Sequence, residues 1–454
     1  MSISSTGSVG NYRWRICALL FFATTINYLD RQVLSLLKPA LEDNFGWTNQ
    51  QYANITSVFQ FTYAISLLLA GRFIDRFGTK SGFAWAIIIW SIGAMVHALA
   101  IPMGELFMPV LGILGVLAVP VSVMGFMIAR FVLAVGEAGN FPAAIKATAE
   151  YFPQKERSLA TGIFNSGANI GAILAPLSVP WIAEVWGWQM AFIIIGAIGF
   201  LWLIFWQRMY AHPSLQKTIS VEERIYILGT TSESENPNKQ SGVPWLTLLK
   251  YRATWAFALG KFFTDGVWWF YLFWLPAYLK DQYGLTGIEI MLPLTILYSI
   301  TMFGSIGGGY LPNLLYSAKR SIYQSRLRAM GGIALLPLVV LLAQPFGSLS
   351  VWVPVLLIGI GAAAHQAWSA NLFTTVSDMF PQKAVASVVG IGGMAGGIGS
   401  VVITQAGGHF FDHYKSLGSI ATGYTIMFAF CALAYLVAWS SIKLLVPVEK
   451  KIHL

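Results

Sequence analysis

Residues 71–80 have the sequence Gly-Arg-Phe-Ile-Asp-Arg-Phe-Gly-Thr-Lys and join two long apolar blocks, 52–74 and 82–101. Each block has about 20 residues or more, which is enough for a helix to cross the roughly 30 Å of hydrocarbon in a bilayer. The charged side chains between the blocks are typical of a loop in water, and glycine permits a tight turn and a close approach of two helices. The stretch therefore predicts a tight turn between two membrane-spanning helices.

The same apolar pattern recurs along the whole chain. Its 454 residues are 56% apolar and only 10% charged, whereas soluble proteins have about 25% charged residues. Because there are too few polar side chains to cover the surface of a soluble enzyme, that class is excluded. We predict an all-α polytopic membrane protein. Its twelve predicted transmembrane helices are 16–40, 52–74, 82–101, 121–147, 158–181, 189–210, 253–279, 288–314, 329–345, 351–377, 386–410 and 422–446.

The distribution of Lys and Arg predicts the orientation of these spans. If both termini are cytoplasmic, all but six of the 28 Lys and Arg residues fall on the cytoplasmic side. The six exceptions are Arg31, Lys38, Arg130, Lys261, Lys280 and Lys415. We therefore expect a multi-pass protein of the cell membrane, a bacterial inner membrane, with both termini cytoplasmic. The formal charge of +9 is then a topology signal, and no nucleic-acid partner is needed to explain it.

One long polar stretch, 211–252, divides the chain into the halves 1–210 and 253–454. Within this stretch Ser220 begins a capping-box pattern, because its hydroxyl can accept a hydrogen bond from the backbone N–H three residues later. The pattern predicts a cytoplasmic linker that contains one short helix. Each half has six predicted spans, so we expect two six-helix bundles.

The two halves contain matching motifs. Tyr-Phe-Pro-Gln-Lys at 151–155 corresponds to Met-Phe-Pro-Gln-Lys at 379–383, and Gly171 after the first corresponds to Gly399 after the second. Since the offset is 228 residues in each case, we predict an internal duplication. Many secondary transporters are built from such repeats and bind their substrate near mid-membrane between them.

Two levels of family resemblance follow from these motifs. Residues 71–80 match the pattern Gly-x-x-x-Asp-Arg-x-Gly-x-Arg/Lys, so the chain resembles the major facilitator superfamily. The stretches 27–31, 136–142 with 152–157, and 188–192, together with the pair at 365–366, resemble the hexuronate transporter branch of the anion:cation symporter family. The resemblance implies the major facilitator fold, in which twelve transmembrane helices form two pseudo-symmetric six-helix bundles.

The signature stretch also implies gating residues. Gly71 and Gly78 would allow close helix approach, and Asp75 with Arg76 would form a charge network that holds the cytoplasmic ends together in one state of the transport cycle. One segment departs from the family pattern. Residues 102–120, mostly apolar with Gly and Pro, resemble an insertion that forms either an outer hairpin or a partly embedded segment.

Ionisable residues at membrane depth indicate function, because each costs about 2.5–3.5 kcal/mol on insertion scales. Those that lie deep in the predicted spans are the acids Asp30, Glu137 and Asp265 and the bases Arg31, Arg130 and Lys261.

Four of these residues suggest a proton and substrate site. Arg130 and Glu137 are seven positions apart and share one helix face. We expect Arg130 to neutralise Asp30, which leaves Arg31 facing the cavity, where its planar fork could bind a carboxylate with two hydrogen bonds. The resemblance to galactonate transporters implies that Glu137 and Asp30 are the proton-coupling pair. The alternative is a static ion-pair network that fixes helix packing.

The second half contributes further candidates. His365 follows Glu137 by the repeat offset of 228 residues, and it is either a donor to sugar hydroxyls or a buried histidine bonded to a backbone carbonyl. Gln366 and Trp368 follow it as possible substrate contacts. Lys261 and Asp265 are one helical turn apart and can neutralise each other, so substrate contact and structural pairing both stay open.

The resemblance to galactonate transporters implies three more substrate contacts in the first half, Tyr28, Tyr63 and Asn169.

Together these features predict a secondary active transporter that couples the symport of a sugar-acid anion, a hexuronate, to protons by alternating access. The alternative is another organic anion, such as galactonate or sialic acid, moved by symport or by anion exchange. The proton is the coupling ion, and no cofactor or metal is expected. We expect a monomer whose partners are the anionic sugar, protons and the lipid bilayer. The sequence patterns of zinc hydrolases, serine hydrolases and ATP-binding loops do not occur.

Overall fold

The computed structural model describes residues 10–113, 119–228, 244–315, 321–448 and 452. These residues form helices joined by short turns. The α-helices are α1 (Tyr12–Phe45), α2 (Asn49–Val96), α3 (Ala100–Ile113), α4 (Val121–Glu137), α5 (Asn140–Tyr151), α6 (Gln154–Trp186), α7 (Trp188–Met209), α8 (Val221–Leu228), α9 (Trp245–Leu248), α10 (Arg252–Tyr283), α11 (Met291–Leu314), α12 (Ile322–Leu335), α13 (Trp352–Met379), α14 (Gln382–Ser416) and α15 (Ile420–Leu445).

The helices account for the twelve predicted spans. Within the described ranges, 9 helices are long and apolar enough to cross a membrane. One of them, Asn49–Pro109, contains the second and third spans, which meet at Gly78, where the backbone leaves helical geometry with φ 76° and ψ 159°. The 34-residue α1 and the 32-residue α10 are also long enough to span, and they contain several of the charges at membrane depth. The prediction of an all-helical membrane protein with many spans is confirmed.

Two spans differ in detail from the prediction. The third span does not end at 101, because a short 3-10 turn at His97–Leu99 leads directly into α3. The first part of the expected insertion is therefore a helix, and residues 114–118 lie outside the described ranges. The ninth span begins as α12 and ends as a 3-10 helix, Leu336–Leu342, with a proline near its start.

The duplication is visible in how the helices pack. In the first half α6 lies against α1, and a Cβ built on Gly171 would be 2.4 Å from the carbonyl oxygen of Thr25. In the second half α14 lies against α10, and a Cβ on Gly399 would be 2.0 Å from the carbonyl oxygen of Phe262. Only glycine permits such a close approach of two backbones. The repeated glycines therefore join equivalent helix pairs in the two bundles.

The two bundles are held together at one end of the molecule. We call this end, where α1 turns into α2 at Gly46, the outer end, and the opposite end, where α1 begins, the inner end. At the outer end the Asp412 carboxylate of α14 accepts hydrogen bonds of 2.8 Å from the backbone N–H groups of Asn49 and Gln50. These are the first residues of α2, and unpaired N–H groups at a helix N-terminus favour an anion.

Further contacts between the bundles extend from the outer end to mid-membrane. The polar ones include Lys415–Glu42 at 2.8 Å, Lys280–Asp43 at 2.5 Å and Gln60–Thr404 at 2.8 Å. Deeper in the membrane, a Cβ on Gly397 of α14 would be 2.5 Å from the Cβ of Ala64 on α2. The outer half of the space between the bundles is therefore closed.

The inner end is open. Gly162 of α6 and Gly390 of α14 lie near this end, and among the described residues no atom is within 4 Å of a Cβ built on either. Asp75, whose side chain is 72% exposed, pairs at 2.7 Å with Lys146 of its own bundle. Arg76 is exposed beside Phe77. Gly71 and Gly78 likewise have no neighbour within 4 Å of an added Cβ in the described part of the chain.

The linker packs against the inner end of the first bundle. Ser220 accepts a 3.1 Å hydrogen bond from the backbone N–H of Glu223 and so begins α8, as predicted. The Glu223 carboxylate does not complete the capping box. It accepts hydrogen bonds of 3.0 Å from the backbone N–H groups of Tyr12 and Arg13 at the start of α1. Linker residues 229–243 lie outside the described ranges.

Candidate substrate and proton site

The central feature of the site is an ion pair between α1 and α4. The guanidinium of Arg31 donates from Nε at 2.9 Å and from Nη2 at 2.7 Å to the same oxygen, Oε2, of Glu137. Nη2 also donates at 3.3 Å to the amide oxygen of Asn27, one turn earlier on α1. The Arg31 side chain is 3% exposed and that of Glu137 is 0% exposed. The two predicted roles, a carboxylate-binding arginine and a proton-binding glutamate, therefore fall on residues that bind each other.

The predicted pairing of Asp30 with Arg130 is wrong in this state. Arg130 donates from Nη1 and Nη2, at 3.2 and 3.3 Å, to the backbone carbonyl of Arg31. Both carboxylate oxygens of Asp30 are buried and accept no hydrogen bond from the described residues. Adjacent residues on a helix point about 100° apart, and α1 is rotated so that Arg31, not Asp30, reaches across to the acid of α4.

Aromatic rings surround the guanidinium of Arg31. The ring centroids of Tyr28, Tyr63, Trp269 and Phe59 are 4.7, 4.8, 5.0 and 5.4 Å from its central carbon. Each distance is within the range of a cation–π interaction. Three of these rings belong to the first bundle, and Trp269 belongs to the second. The enclosure of Arg31 therefore depends on how closely the bundles approach each other.

The second bundle contains another ion pair at membrane depth. Lys261 Nζ lies 2.6 Å from Asp265 Oδ2, one turn further along α10. The ammonium also lies 4.5 Å from the ring centroid of Phe373 on α13.

The histidine predicted at the repeat position is buried in packing. The ring of His365 stacks on Trp268 at 5.3 Å, and its Nδ1 lies 2.9 Å from the hydroxyl of Tyr435. Trp368 is 0% exposed and packs edge-on against the same tyrosine. In this state both residues are buried among side chains of the second bundle.

The other predicted contacts are half-buried. These are Tyr28, Tyr63, Asn169 and Gln366. The structure adds Phe59, Trp269 and Asn27 to the environment of Arg31. The spacing of Asn27, four residues before Arg31, could have indicated a contact on one helix face. The rings of Phe59 and Trp269 could not be distinguished in sequence from the many aromatic residues of the spans. No group of His, Cys, Asp and Glu in the described residues could hold a metal ion.

Comparison with known proteins agrees with this architecture. The family model of the Major Facilitator Superfamily matches residues 20–404. The chain belongs to this superfamily. It is therefore a multi-pass membrane transporter and not an enzyme, related to transporters of hexuronates, galactonate and galactarate or glucarate.

Two relatives and one structure show the degree of similarity. The chain is 30% identical over 433 residues to the hexuronate transporter of Escherichia coli (strain K12), covering 94% of this chain and 93% of that protein. It is 34% identical over 303 residues to the galacturonate transporter of Dickeya chrysanthemi, covering 66% of this chain and 82% of that protein. A crystal structure of a bacterial homolog to the human lysosomal transporter Spinster, inward-facing and unoccupied, superimposes with a TM-score of 0.74. It is 18% identical and covers 97% of this chain and 98% of that chain, so it supports the fold.

Proposed function

We propose that this transporter couples the import of a hexuronate anion to protons. The observation that supports the proposal most strongly is the buried Arg31–Glu137 pair between α1 and α4 of the first bundle. Relatives named as hexuronate and galacturonate transporters support the substrate class. The excess of basic residues at the inner end supports cytoplasmic termini, and the bacterial relatives support a bacterial cytoplasmic membrane.

The chemistry of the pair explains why substrate and proton would move together. In this state Glu137 occupies the guanidinium of Arg31, so a substrate carboxylate must displace it. If Glu137 takes up one proton, the neutral acid releases Arg31, which then binds the carboxylate. The pair has zero net charge before the exchange, as Arg31⁺ and Glu137⁻. Arg31⁺, neutral Glu137 and the bound anion also sum to zero, so the exchange does not change the charge of the site.

Asp30 provides a second place for a proton. Burying an ionised carboxylate without hydrogen bonds costs several kcal/mol, and both oxygens of Asp30 lack a hydrogen-bond partner among the described residues. We infer that Asp30 holds a proton in this inward-open state. Arg130 supports the site differently, because its bonds to the Arg31 carbonyl tie α4 to α1.

The test is uptake into proteoliposomes under an imposed pH gradient, with glucuronate, galacturonate, galactonate and glucose as candidate substrates. We expect gradient-driven accumulation of a hexuronate and no transport of glucose. Glu137→Gln should lose the gradient-driven component and retain counterflow exchange, because glutamine, like the protonated acid, leaves Arg31 free to bind the substrate carboxylate but takes up no proton. Glu105→Gln on the exposed surface of α3 is the matched control.

Three results would contradict the proposal. Equal transport of glucose would exclude an anion site. Gradient-driven uptake that survives in Glu137→Gln would show that the proton binds elsewhere. Uptake that is unaffected by collapse of the pH gradient would favour anion exchange.

A further inference from the structure

The ion pair Lys261–Asp265 has no role in the mechanism above. Its side chains are 9% and 16% exposed, and the Nζ–Oδ2 distance is 2.6 Å. On α10 the residues Lys261, Asp265 and Trp269 follow one another at intervals of four, so they share one helix face. Because the Trp269 ring lies 5.0 Å from the Arg31 guanidinium, that face is directed toward the first bundle.

This placement puts the pair on the route between the Arg31 site and the inner end. Four helical residues rise about 6 Å, so Asp265 lies about one turn, and Lys261 about two turns, closer to the inner end than Trp269. The glycine face of α14 packs against the pair, since a Cβ on Gly396 would be 2.2 Å from Asp265 Oδ2. An anion leaving Arg31 toward the open inner end passes this pair.

Structural stabilisation does not explain the pair. An ion pair at i,i+4 raises the equilibrium constant for folding of an exposed helix by a factor of roughly two. Removing two charged groups from water costs far more than such a pair returns. Both partners also lie on α10, so their bond does not fix α10 to a neighbouring helix. A cation at membrane depth with a displaceable partner is suited to bind a mobile anion.

We propose that Lys261 binds the substrate carboxylate on the inner side and that Asp265 competes with it for the same ammonium. The proposal rests on the proposed function, since it requires an anionic sugar as cargo. The ammonium has three donors and no acceptor, so it binds the cargo carboxylate once Asp265 moves away. When Asp265 returns, the carboxylate is displaced and the sugar acid leaves through the inner end. Asp265 is a release residue in this scheme, and Lys261 is a substrate-binding residue.

The test measures equilibrium binding of radiolabelled glucuronate and galacturonate to the purified full-length transporter, with a set of charge-neutral variants. Lys261→Gln should weaken binding, and Asp265→Asn should tighten it, each on the order of tenfold, because one removes the cation and the other removes its competitor. The double variant Lys261→Gln/Asp265→Asn should bind as weakly as Lys261→Gln. Lys261→Arg should retain binding, and Lys443→Gln, an exposed change on α15, should have no effect.

The results distinguish this proposal from a structural role. A purely structural pair predicts that both single variants weaken binding and that the double variant restores it, which would overturn the proposal. Unchanged binding in Lys261→Gln would also overturn it while leaving the proposed function intact. If the wild-type transporter binds neither sugar acid, the proposed function itself fails and this assignment fails with it. Elution volume and thermal unfolding of each variant report whether it is folded.

Discussion

The contact between Gly408 of α14 and α2 allows a direct test of the alternating-access geometry. A Cβ built on Gly408 would be 2.6 Å from the Cβ of Ala53 and 3.0 Å from the carbonyl oxygen of Asn49. Carbon atoms in contact are normally about 3.5–4.0 Å apart, so Gly408→Ala requires the two helices to separate by about 1 Å. One turn later, the hydrogen bonds from α2 to Asp412 must lengthen.

The free-energy cost of the added methyl group applies only to the inward-open conformation. Overpacking of this kind costs about 1–3 kcal/mol, and α2 and α14 belong to different bundles that separate when the outer end opens. The gain in helix propensity from Gly to Ala, about 1 kcal/mol, is the same in both conformations and cancels. We therefore expect Gly408→Ala to shift the equilibrium toward the outward-open state by a factor of about 5 to 150.

Spin labels on opposite bundles would measure this shift. Asn44 near the end of α1 and Ser416 at the end of α14 are both exposed at the outer end, and cysteines at these two positions provide the label pair. Gly408→Ala should increase the population of long distances. The control is Gly399→Ala on the same helix, whose Cβ meets the carbonyl of Phe262 in its own bundle. That change should lower thermal stability and leave the distances unchanged. An unchanged distribution in Gly408→Ala would refute the reasoning.

Two further predictions concern the two ends of the molecule. At the outer end burial alone would raise the pKa of Glu42, but Lys38 and Lys415 lower it to about 2 from an ordinary value of 4.5. Because the pKa is lowered, the contact with Lys415 is complete above about pH 4.5 and is lost as the pH falls toward 2. Titration of Glu42 should therefore leave the label distances unchanged between pH 5 and 8. The variant Glu42→Gln should lengthen these distances at pH 7. At the inner end Glu223→Gln should weaken the cap on the first amides of α1 by about 1–2 kcal/mol and speed their hydrogen exchange. Exposed Glu222→Gln should not, and equal protection in both variants would disprove the capping role.

The fold was predictable because the sequence patterns that indicate it each occupy a short stretch of the chain. Long apolar segments predict the spans, and the glycines of the signature and of the repeat mark positions where backbones turn or touch, as Gly78, Gly171 and Gly399 do. The apolar segments and the signature each lie within one short stretch of the chain, and the repeat is found by comparing two such stretches. The boundaries were less accurate, because helices such as α14 extend past the membrane, where composition changes gradually.

The pairing of the buried charges could not be predicted from the sequence, and the reason is geometric. Asp30 and Arg31 are neighbours on α1, and a rotation of that helix by about 100° exchanges which of them meets α4. The sequence shows that Arg130 and Glu137 share a face, but it does not give the rotation of α1. The bond of Asp412 to the start of α2 joins residues more than 360 positions apart and has no local pattern.

The rotation of α1 places Arg31 where movement of the bundles affects the binding of substrate and proton. The enclosure of Arg31 includes Trp269, a residue of the opposite bundle, at 5.0 Å. When the outer end opens, α10 must move away from α1, and this ring moves with it. A cation–π contact in a desolvated site contributes about 2 kcal/mol, so its loss weakens the confinement of Arg31 when the site is open to the outside. A proton can then bind Glu137 and the substrate carboxylate can bind Arg31 at the moment when the outer solution supplies both. The movement of the bundles is thereby linked to the exchange of partners at Arg31.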